Sequence, residues 1–345
     1  MDFDQISTFI QHGISEKIFP GAAAYIVEDG QVRYYEAFGH RMIKPEIKPT
    51  RRETIFDLAS LTKPIVVGTL IMRLAENDLL ELGASVQSCL REFKHPQVTL
   101  LHLLTHTSGL PAWQPVYLEA GASKEVINYL GQMPLEYPTG EKVVYSCLGY
   151  ILLGKLIERI TDESLSTLAR EWIFQPLAMA KTQYNPPMTW AKDCAATEDS
   201  NSFEKRMVNY RRYDWREGVI VGEVHDENAH FLGGVSGNAG LFSILEDLGK
   251  FCQMLIDGGG NVLKPESVNQ MAAVYTAGLN ASRGIGWIIL EDGSLYHTGF
   301  TGTSIRVNLE RRLYAILLTN RVHPDASRAG ILEFRTQFYR SIFEA

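Results

Sequence analysis

Residues 58–64, LASLTKP, place a serine and a lysine three positions apart in a mainly apolar stretch that ends in proline. If a helix begins near Leu61, Ser60 stands at its N-terminus and Lys63 lies one turn along on the same face. Pro64 fits there because first-turn N–H groups have no helical partner. The helix N-terminus favours an alkoxide, and an apolar pocket disfavours the ammonium form of a lysine, which can then accept a proton. The stretch predicts a serine nucleophile assisted by lysine; an N-capping serine beside a surface lysine is the alternative.

The length and composition indicate a soluble globular protein. The 345 residues suggest two domains, or one domain with a large insertion. Hydrophobic residues make up 45% of the chain and charged residues 21%, which is ordinary for a protein with a sizeable core. The net charge is −7, whereas nucleic-acid-binding domains are more often basic. No nucleic-acid partner is therefore expected.

The chain shows no signal for export or membrane insertion. Its first residues, MDFDQISTFIQHG, lack the basic and apolar segments of a signal peptide. The longest apolar run, residues 64–72, is too short to span a bilayer. Four cysteines are scattered without metal-ligand spacing: Cys89, Cys147, Cys194 and Cys252. The sequence therefore predicts a cytoplasmic protein with reduced thiols and no membrane partner.

Strand-like segments occur near both ends of the chain, whereas the middle is mainly helical. Residues 22–28 and 31–38 flank Asp29-Gly30, a dipeptide typical of a two-residue hairpin turn. Further strand-like segments follow near the other end, at 286–290, 295–299, 304–309 and 312–320. These segments predict an antiparallel sheet to which both chain ends contribute.

Three segments predict helices. Apolar residues over 65–74 indicate a helix buried on most sides, and residues 148–160 form an amphipathic pattern. Ser243 and Glu246 match a capping box, which predicts a helix around 246–256.

The simplest architecture is of the α+β class. An antiparallel sheet from both chain ends is flanked by helices, and a mostly helical region is inserted. This divides the chain into a discontinuous sheet domain, residues 1–68 and 232–345, and a helical domain, residues 69–231. A ligand cleft is expected between the two.

Five motifs follow one another in the order typical of the serine β-lactamase and penicillin-binding-protein superfamily. They are FDLASLTKP (56–64), LLHLLTHTSGLP (100–111), YSCLGYILLGKLIE (145–158), GGVSGNAGLFSILEDLGKF (233–251) and HTGFTGTS (297–304). The sequence resembles this superfamily over nearly its whole length. Within it, the closest resemblance is to class C β-lactamases, their esterase relatives and low-molecular-weight DD-peptidase-like proteins. The resemblance implies a β-lactamase/transpeptidase-like fold.

The resemblance also implies roles for individual residues. Ser60 corresponds to the nucleophile, Lys63 accepts or relays its proton, and Tyr145 activates Ser60 and later the deacylating water. A tyrosine with a pKa near 10 is a poor base at neutral pH, so Lys63 is expected to favour the phenolate. The oxyanion hole is expected at the backbone N–H groups of Ser60 and Phe300.

Two substrate-binding positions depart from the family pattern. Cys147 stands where the family has asparagine, and a thiol is a weaker hydrogen-bond donor than an amide. His297 replaces the lysine of the K-T-G motif and is mostly neutral at pH 7. Thr298 and Gly299 keep the motif, on the strand edge that pairs with the acyl side of the substrate. Both departures reduce recognition of an amide with a nearby carboxylate and leave the attacking groups intact.

The expected function is therefore a serine hydrolase that forms an acyl-enzyme on small acyl esters. A β-lactamase or DD-peptidase-like penicillin-binding protein is the second possibility, and a catalytically silent ligand-binding protein is the third. Cys147 is an alternative thiol nucleophile, although no adjacent base is specified for it. The expected partner is a small-molecule ester or β-lactam-like substrate, with no cofactor and no metal; the sequence does not indicate the oligomeric state.

Other polar and aromatic residues have both structural and functional interpretations. His102 and His106 are four positions apart and could bind a metal from one helix face, but the family motif around them favours a structural role. His225 and Asp226 precede a Gly-Gly turn and are expected either to face the cleft or, for Asp226, to cap the loop. Trp113 is expected either to line the pocket or to pack in the core.

Overall fold

The computed structural model describes residues 1–344, and its strands form three sheets. The strands are β1 (Gly21–Glu28), β2 (Gln31–Met42), β3 (Lys48–Pro49), β4 (Phe56–Asp57), β5 (Gln183–Tyr184), β6 (Ala196–Asp199), β7 (Val219–Val221), β8 (Leu241–Ser243), β9 (Ile288–Ile289), β10 (Leu295–Thr298), β11 (Ser304–Asn308) and β12 (Leu313–Thr319). The largest sheet has the order β3-β2-β1-β12-β11-β10-β9. The predicted antiparallel sheet from both chain ends is confirmed.

The hairpin between β1 and β2 turns at Asp29-Gly30, as predicted. These residues have φ values of 50° and 72°, the left-handed conformation that a two-residue turn of this type requires. On its other side, β1 pairs with β12 in a register that sets Ala22 opposite Thr319. This pairing joins the two ends of the chain in the middle of the sheet.

Helices cover both faces of the large sheet. The α-helices of residues 1–344 are α1 (Phe3–Ser15), α2 (Thr69–Glu76), α3 (Val86–Cys89), α4 (Leu100–Leu104), α5 (Val116–Glu119), α6 (Val126–Gly131), α7 (Cys147–Thr161), α8 (Leu165–Ala169), α9 (Ser202–Met207), α10 (Glu227–Phe231), α11 (Leu245–Ile256), α12 (Pro265–Ala272) and α13 (Ile331–Phe343). None of them is long and apolar enough to cross a membrane. Helix α7 confirms the predicted amphipathic helix.

The core has a layer on each side of the sheet. On one face, Ile6 and Ile10 of α1 pack with Phe334 and Phe338 of α13. On the other face, α11 contacts β1 and β12. Every residue of β12 is buried, because a central strand covered on both faces has no solvated side.

The segment around Ser60 is not the regular helix starting near Leu61 that the sequence predicted. Residues 59–61 form a 3-10 turn, residues 63–68 form a π-helical turn, and the α-helix begins at Thr69. Pro64 has no N–H group to donate, and such wide or tight turns are common where regular helical hydrogen bonding is interrupted. The predicted buried helix is present, but the serine and the lysine lie in its irregular start.

The predicted capping box at Ser243 is also wrong. Ser243 ends β8, and its hydroxyl lies 2.6 Å from the hydroxyl of Thr182. Helix α11 begins two residues later, at Leu245, without a side-chain cap. Ser243 therefore belongs to strand β8 and is not the helix cap that the sequence pattern predicted.

The smallest strands bring the middle of the chain to the segment that carries Ser60. Strand β4, just before Ser60, pairs with β8, and β8 pairs in turn with β5. The division into residues 1–68 with 232–345 and residues 69–231 stays a prediction.

Candidate active site

Ser60 and Lys63 are in direct contact. The buried Lys63 Nζ donates a hydrogen bond to Ser60 Oγ at 2.9 Å and another to the Asn238 carbonyl at 3.0 Å. The first contact is the one that the sequence led us to expect. Asn238 was not predicted, although it lies within the quoted motif GGVSGNAG. Its carbonyl fixes Lys63 in place and satisfies part of its positive charge.

A strained turn presents Ser60. Ala59, the residue before it, has φ of 47°, which is uncommon for a residue with a side chain. Asp57 holds this turn, since its Oδ1 accepts the Ala59 N–H at 2.8 Å and its Oδ2 accepts the His225 N–H at 2.7 Å. Sequence reasoning missed Asp57. Strain at a reactive residue persists only where neighbours over-determine it, as this carboxylate does.

Tyr145 lies beside the pair, in the residues that lead into α7. Lys63 Nζ is 4.9 Å from the centroid of its ring. The Tyr145 hydroxyl is close enough to Lys63 and Ser60 for both to influence its pKa, but it forms no well-aligned hydrogen bond in residues 1–344. Catalytic hydrogen bonds are often loose before substrate binds.

His106 positions Tyr145. Its ring centroid lies 4.5 Å from that of Tyr145, and its Nδ1 accepts the N–H of Ser146, the next residue, at 3.0 Å. Thr99 is the N-cap of α4, and the side chain of His102 accepts the Thr99 backbone N–H. Both histidines thus have structural contacts. Among residues 1–344, no group of three or more potential ligands could hold a metal ion.

The protonation states follow from burial and mutual charge. Burial raises the pKa of Tyr145 and the Lys63 ammonium lowers it, with burial the larger effect. Burial lowers the pKa of Lys63, whereas negative charge on Cys147 or Tyr145 raises it, and the net direction is upward. Tyr145 is therefore a neutral phenol at rest, and the ammonium form of Lys63 is favoured most when Tyr145 or Cys147 is ionised. The Lys63 ammonium lowers the pKa of Tyr145, as expected, but burial raises this pKa by more.

Cys147 occupies the first position of α7 and faces the same centre. Its Sγ lies 3.6 Å from Lys63 Nζ. Burial raises the pKa of the thiol, and Lys63 only partly opposes this effect. A thiol that stays protonated is a weak nucleophile, so this environment favours Ser60 over Cys147 for attack.

His297 is buried and neutral, as the sequence indicated. Burial lowers its pKa well below the ordinary value, and the cations Lys63 and Arg283 lower it further. Its Nδ1 lies 2.9 Å from the Thr298 carbonyl, so this nitrogen carries the hydrogen. Its Nε2 has no partner in residues 1–344 and is left as an acceptor. The side chain therefore cannot replace the cation of a K-T-G lysine.

The turn after β10 is fixed against the Ser60 segment. Thr301 Oγ1 donates to the Asp57 carbonyl at 2.7 Å, and Thr303 Oγ1 donates to the Leu58 carbonyl at 2.9 Å. At Gly299 a Cβ atom would lie 2.2 Å from Thr303 Oγ1 and 2.4 Å from the Leu58 carbonyl oxygen, so only glycine fits.

The two predicted oxyanion-hole groups are available. The backbone N–H groups of Ser60 and Phe300 make no hydrogen bond within residues 1–344. Because the Thr301 and Thr303 contacts fix the Phe300 segment relative to Ser60, these two donors are preorganised with respect to each other.

Cavities lie on both sides of Ser60. One, of about 350 Å³, is lined by Trp113, Cys147, His225 and Asp226, together with Phe203, Glu204 and Met207 of α9, which sequence reasoning missed. The other, of about 630 Å³, is lined by His297, Thr298, Gly299 and four arginines: Arg283, Arg321, Arg328 and Arg335. Ser60, Tyr145 and Phe300 line both. A substrate bound across Ser60 would thus meet one mainly apolar and one basic side.

His225 and Asp226 combine both roles that were considered for them. Asp226 Oδ1 accepts the Ala229 N–H at 2.8 Å and so caps α10. His225 Nε2 lies 3.0 Å from a carboxylate oxygen of the buried Glu198. Both also line the smaller cavity, as does Trp113.

Comparisons with known proteins show the family of this chain and its fold. The family described as Beta-lactamase matches residues 6–338. An N-acetylmuramyl-L-alanine amidase of Bacillus subtilis (strain 168) is 30% identical over 347 residues, which covers 88% of this chain and 78% of that protein. A putative D-alanyl-D-alanine carboxypeptidase of Escherichia coli (strain K12) is 28% identical, covering 88% of this chain and 79% of that protein. The solved structure of EstCE1, a hydrolase with promiscuous acyltransferase activity, superposes with a TM-score of 0.78 at 21% identity, covering 99% of this chain and 98% of that one.

Proposed function

Because this chain belongs to the beta-lactamase family, we propose that it is a serine hydrolase that cleaves small acyl esters through an acyl-enzyme on Ser60. The observation that carries the proposal is the contact of Lys63 Nζ with Ser60 Oγ at 2.9 Å, with the Tyr145 hydroxyl beside both. The mechanism uses side chains and backbone N–H groups only, and it needs no cofactor.

In the first half-reaction, Ser60 Oγ forms a bond to the substrate carbonyl carbon, and its proton passes to the Lys63–Tyr145 couple. The N–H groups of Ser60 and Phe300 stabilise the oxyanion. When the intermediate collapses, the bond to the leaving alcohol breaks and the couple returns the proton to that oxygen. Water then attacks the acyl-enzyme in the same way and releases the acid.

The resting protonation of the couple predicts an alkaline pH dependence. In its fully protonated form, with Lys63 as ammonium and Tyr145 as phenol, the couple must lose one proton before it can accept one from Ser60. Since burial holds the Tyr145 pKa above its ordinary value near 10, the base form is a minor species that grows with pH. We expect kcat/KM to rise by up to about tenfold per pH unit between about pH 6 and pH 9. Initial rates over this range, corrected with Ser60→Ala protein, test it; a plateau that begins below pH 7 contradicts it.

Ester substrates are favoured because the residues at the amide-binding and carboxylate-binding positions are weak hydrogen-bonding partners. An activated ester has a good leaving group and needs mainly the nucleophile and the oxyanion hole. A β-lactam also needs its side-chain amide and its carboxylate held, whereas Cys147 and the neutral His297 offer little to either.

We therefore expect a higher kcat/KM for p-nitrophenyl acetate than for nitrocefin. Cys147→Asn restores an amide donor, which is worth about 0.5–1.5 kcal/mol, and should raise the nitrocefin rate relative to the ester rate by up to about tenfold. The matched control is Cys147→Ala, which removes the thiol without adding a donor and should leave the ratio unchanged. A native preference for nitrocefin would replace the esterase proposal with the β-lactamase one.

A peptide or amide with a free carboxylate is the second candidate substrate. The observation that favours it is the basic cavity beside β10, where Arg283 and Arg335 are buried and Arg328 is partly exposed. These arginines can bind a carboxylate on the leaving group in place of a K-T-G lysine. The two curated relatives are named for amide and peptide cleavage. Hydrolysis of an acyl-D-alanyl-D-alanine peptide faster than p-nitrophenyl acetate would make this the function.

A further inference from the structure

The cavity of about 350 Å³ beside Ser60 combines aromatic and acidic side chains. Trp113, Phe203 and Phe300 line it together with Glu204 and Asp226. The nearest cations lie behind this lining: Lys63 Nζ contacts Ser60 and Cys147, and Arg321 lies over the Phe300 ring. Aromatic faces attract cations, and carboxylates hydrogen-bond to them. The two features together favour a cationic group over an anion or a plain hydrocarbon.

Glu204 in the wall of this cavity has an incompletely satisfied carboxyl group, with the Tyr117 hydroxyl and the Glu227 N–H as its polar neighbours. The residue is 8% exposed, and its Oε1 is buried without a hydrogen bond in residues 1–344. Burial raises its pKa well above the ordinary value, and the charges of Asp226 and Glu227 raise it further. The nearby Tyr117 hydroxyl lowers the pKa but is itself without a well-formed hydrogen bond. An unsatisfied buried carboxyl costs free energy that a bound donor would offset.

The neighbouring arginine is committed elsewhere. Arg216 donates to the Glu227 carboxylate at 2.8 Å and to the carbonyls of Val224 at 2.6 Å and His225 at 3.0 Å. Asn201 also donates to Glu227. Glu227 is therefore paired with a cation, whereas Glu204 forms no salt bridge in residues 1–344.

We infer that the smaller cavity binds a protonated amine carried by the acyl part of the substrate, with Glu204 and Asp226 accepting its hydrogen bonds and the aromatic rings packing around it. The inference rests on the proposed function, because it places the amine-bearing end of the acyl group in this cavity while the acyl carbonyl stays beside the edge of β10. A bound cation stabilises the carboxylate form of Glu204, so a proton leaves Glu204 for solvent as the amine binds. The substrate class is then aminoacyl esters or amides.

Pairs of ethyl esters that differ only in charge test the inference. Glycine, β-alanine and 4-aminobutanoate esters are paired with their isosteres, the propanoate, butanoate and pentanoate esters, and kcat/KM is divided by each ester's own hydroxide-catalysed rate. At a pH where the amines are protonated, this corrected kcat/KM should be about tenfold or more higher for at least one amino ester than for its isostere. One charged hydrogen bond accounts for a difference of this size. The chain length with the largest ratio locates the amine relative to Ser60.

Variants assign the preference to the acidic side chains. Glu204→Gln should bring the ratio of amino to neutral ester close to one, and Asp226→Asn, which can still cap α10, should lower it. Glu266→Gln removes a charge from an exposed position and should leave the ratio unchanged. Equal rates for all pairs in the native protein, or a ratio that survives both cavity variants, would overturn the inference.

A binding measurement separates this inference from the proposed function. Ser60→Ala protein cannot form the acyl-enzyme, so calorimetry can compare its affinity for each ester of a pair. Tighter binding of the amino ester by about fivefold or more supports the cation site even if neutral esters are not hydrolysed. Absence of turnover with every ester, combined with that preference, would refute the esterase activity and keep the cation site.

Discussion

Ser60→Ala is expected to lower kcat/KM for p-nitrophenyl acetate by about 10⁴-fold or more, because no other group of the site can form the acyl-enzyme. The oxyanion donors and both cavities remain in this variant, so a small residual rate above the uncatalysed one is expected. Alanine at this half-buried position removes one hydroxyl and one hydrogen bond from Lys63, and the fold should be retained.

The matched control is Cys147→Ala. Its thiol lies 3.6 Å from the same ammonium, and burial raises its pKa, so its removal should change the ester rate by less than about tenfold. A fluorophosphonate probe should label the native protein at Ser60, as read by peptide mass spectrometry, and should fail to label Ser60→Ala. If Cys147→Ala abolishes activity while Ser60→Ala retains it, the thiol is the nucleophile.

The parts of the fold that were predictable from sequence depend on local rules. The Asp29-Gly30 turn, the strands at both ends and α7 follow from residue conformation and from apolar periodicity, which act within a few positions. The contact of Ser60 with Lys63 was predicted, but the backbone conformation of the segment that carries them was not. The left-handed Ala59 is held by Asp57, which is itself held by the backbone N–H of His225, a residue distant in sequence.

The site residues that sequence reasoning missed depend on tertiary contacts. Asn238 contributes a backbone carbonyl, which every residue has, so its type carries no signal. His106 was expected to have a structural role rather than to bind a metal, but its packing on the Tyr145 ring was not predicted. Glu204 lies in α9, where a charged residue is expected to face solvent; its burial against the cavity depends on how the inserted region folds over Ser60. The protonation state of Tyr145 was also beyond the sequence, because it depends on the extent of burial.

The Lys63–Tyr145 couple is expected to be the second most sensitive part of the site. Positioned proton transfer contributes about 10²–10⁴-fold to a rate, so Tyr145→Phe and Lys63→Met should each lower kcat/KM within that range. Because the two side chains act on one proton, the double variant should be little worse than the worse single variant, whereas independent roles would multiply. Tyr150→Phe is the matched control: Lys63 Nζ is 5.7 Å from its ring centroid, and its hydroxyl donates to the Leu104 carbonyl at 2.9 Å, away from Ser60. That change should cost about 1 kcal/mol of stability and leave kcat/KM within a few-fold.

The stability of Lys63→Met distinguishes lost chemistry from lost structure. Lys63 is fully buried, and a buried cation carries a desolvation cost that an apolar side chain of similar volume does not. The thermal midpoint of Lys63→Met should therefore equal or exceed that of the native protein, although its activity is lost. The pH profile of Tyr145→Phe should also lose its alkaline rise, since the phenol whose ionisation produces that rise is absent. A Lys63→Met protein that keeps native activity, or a double variant whose loss is the product of the two single losses, would mean that the proton of Ser60 leaves by another route.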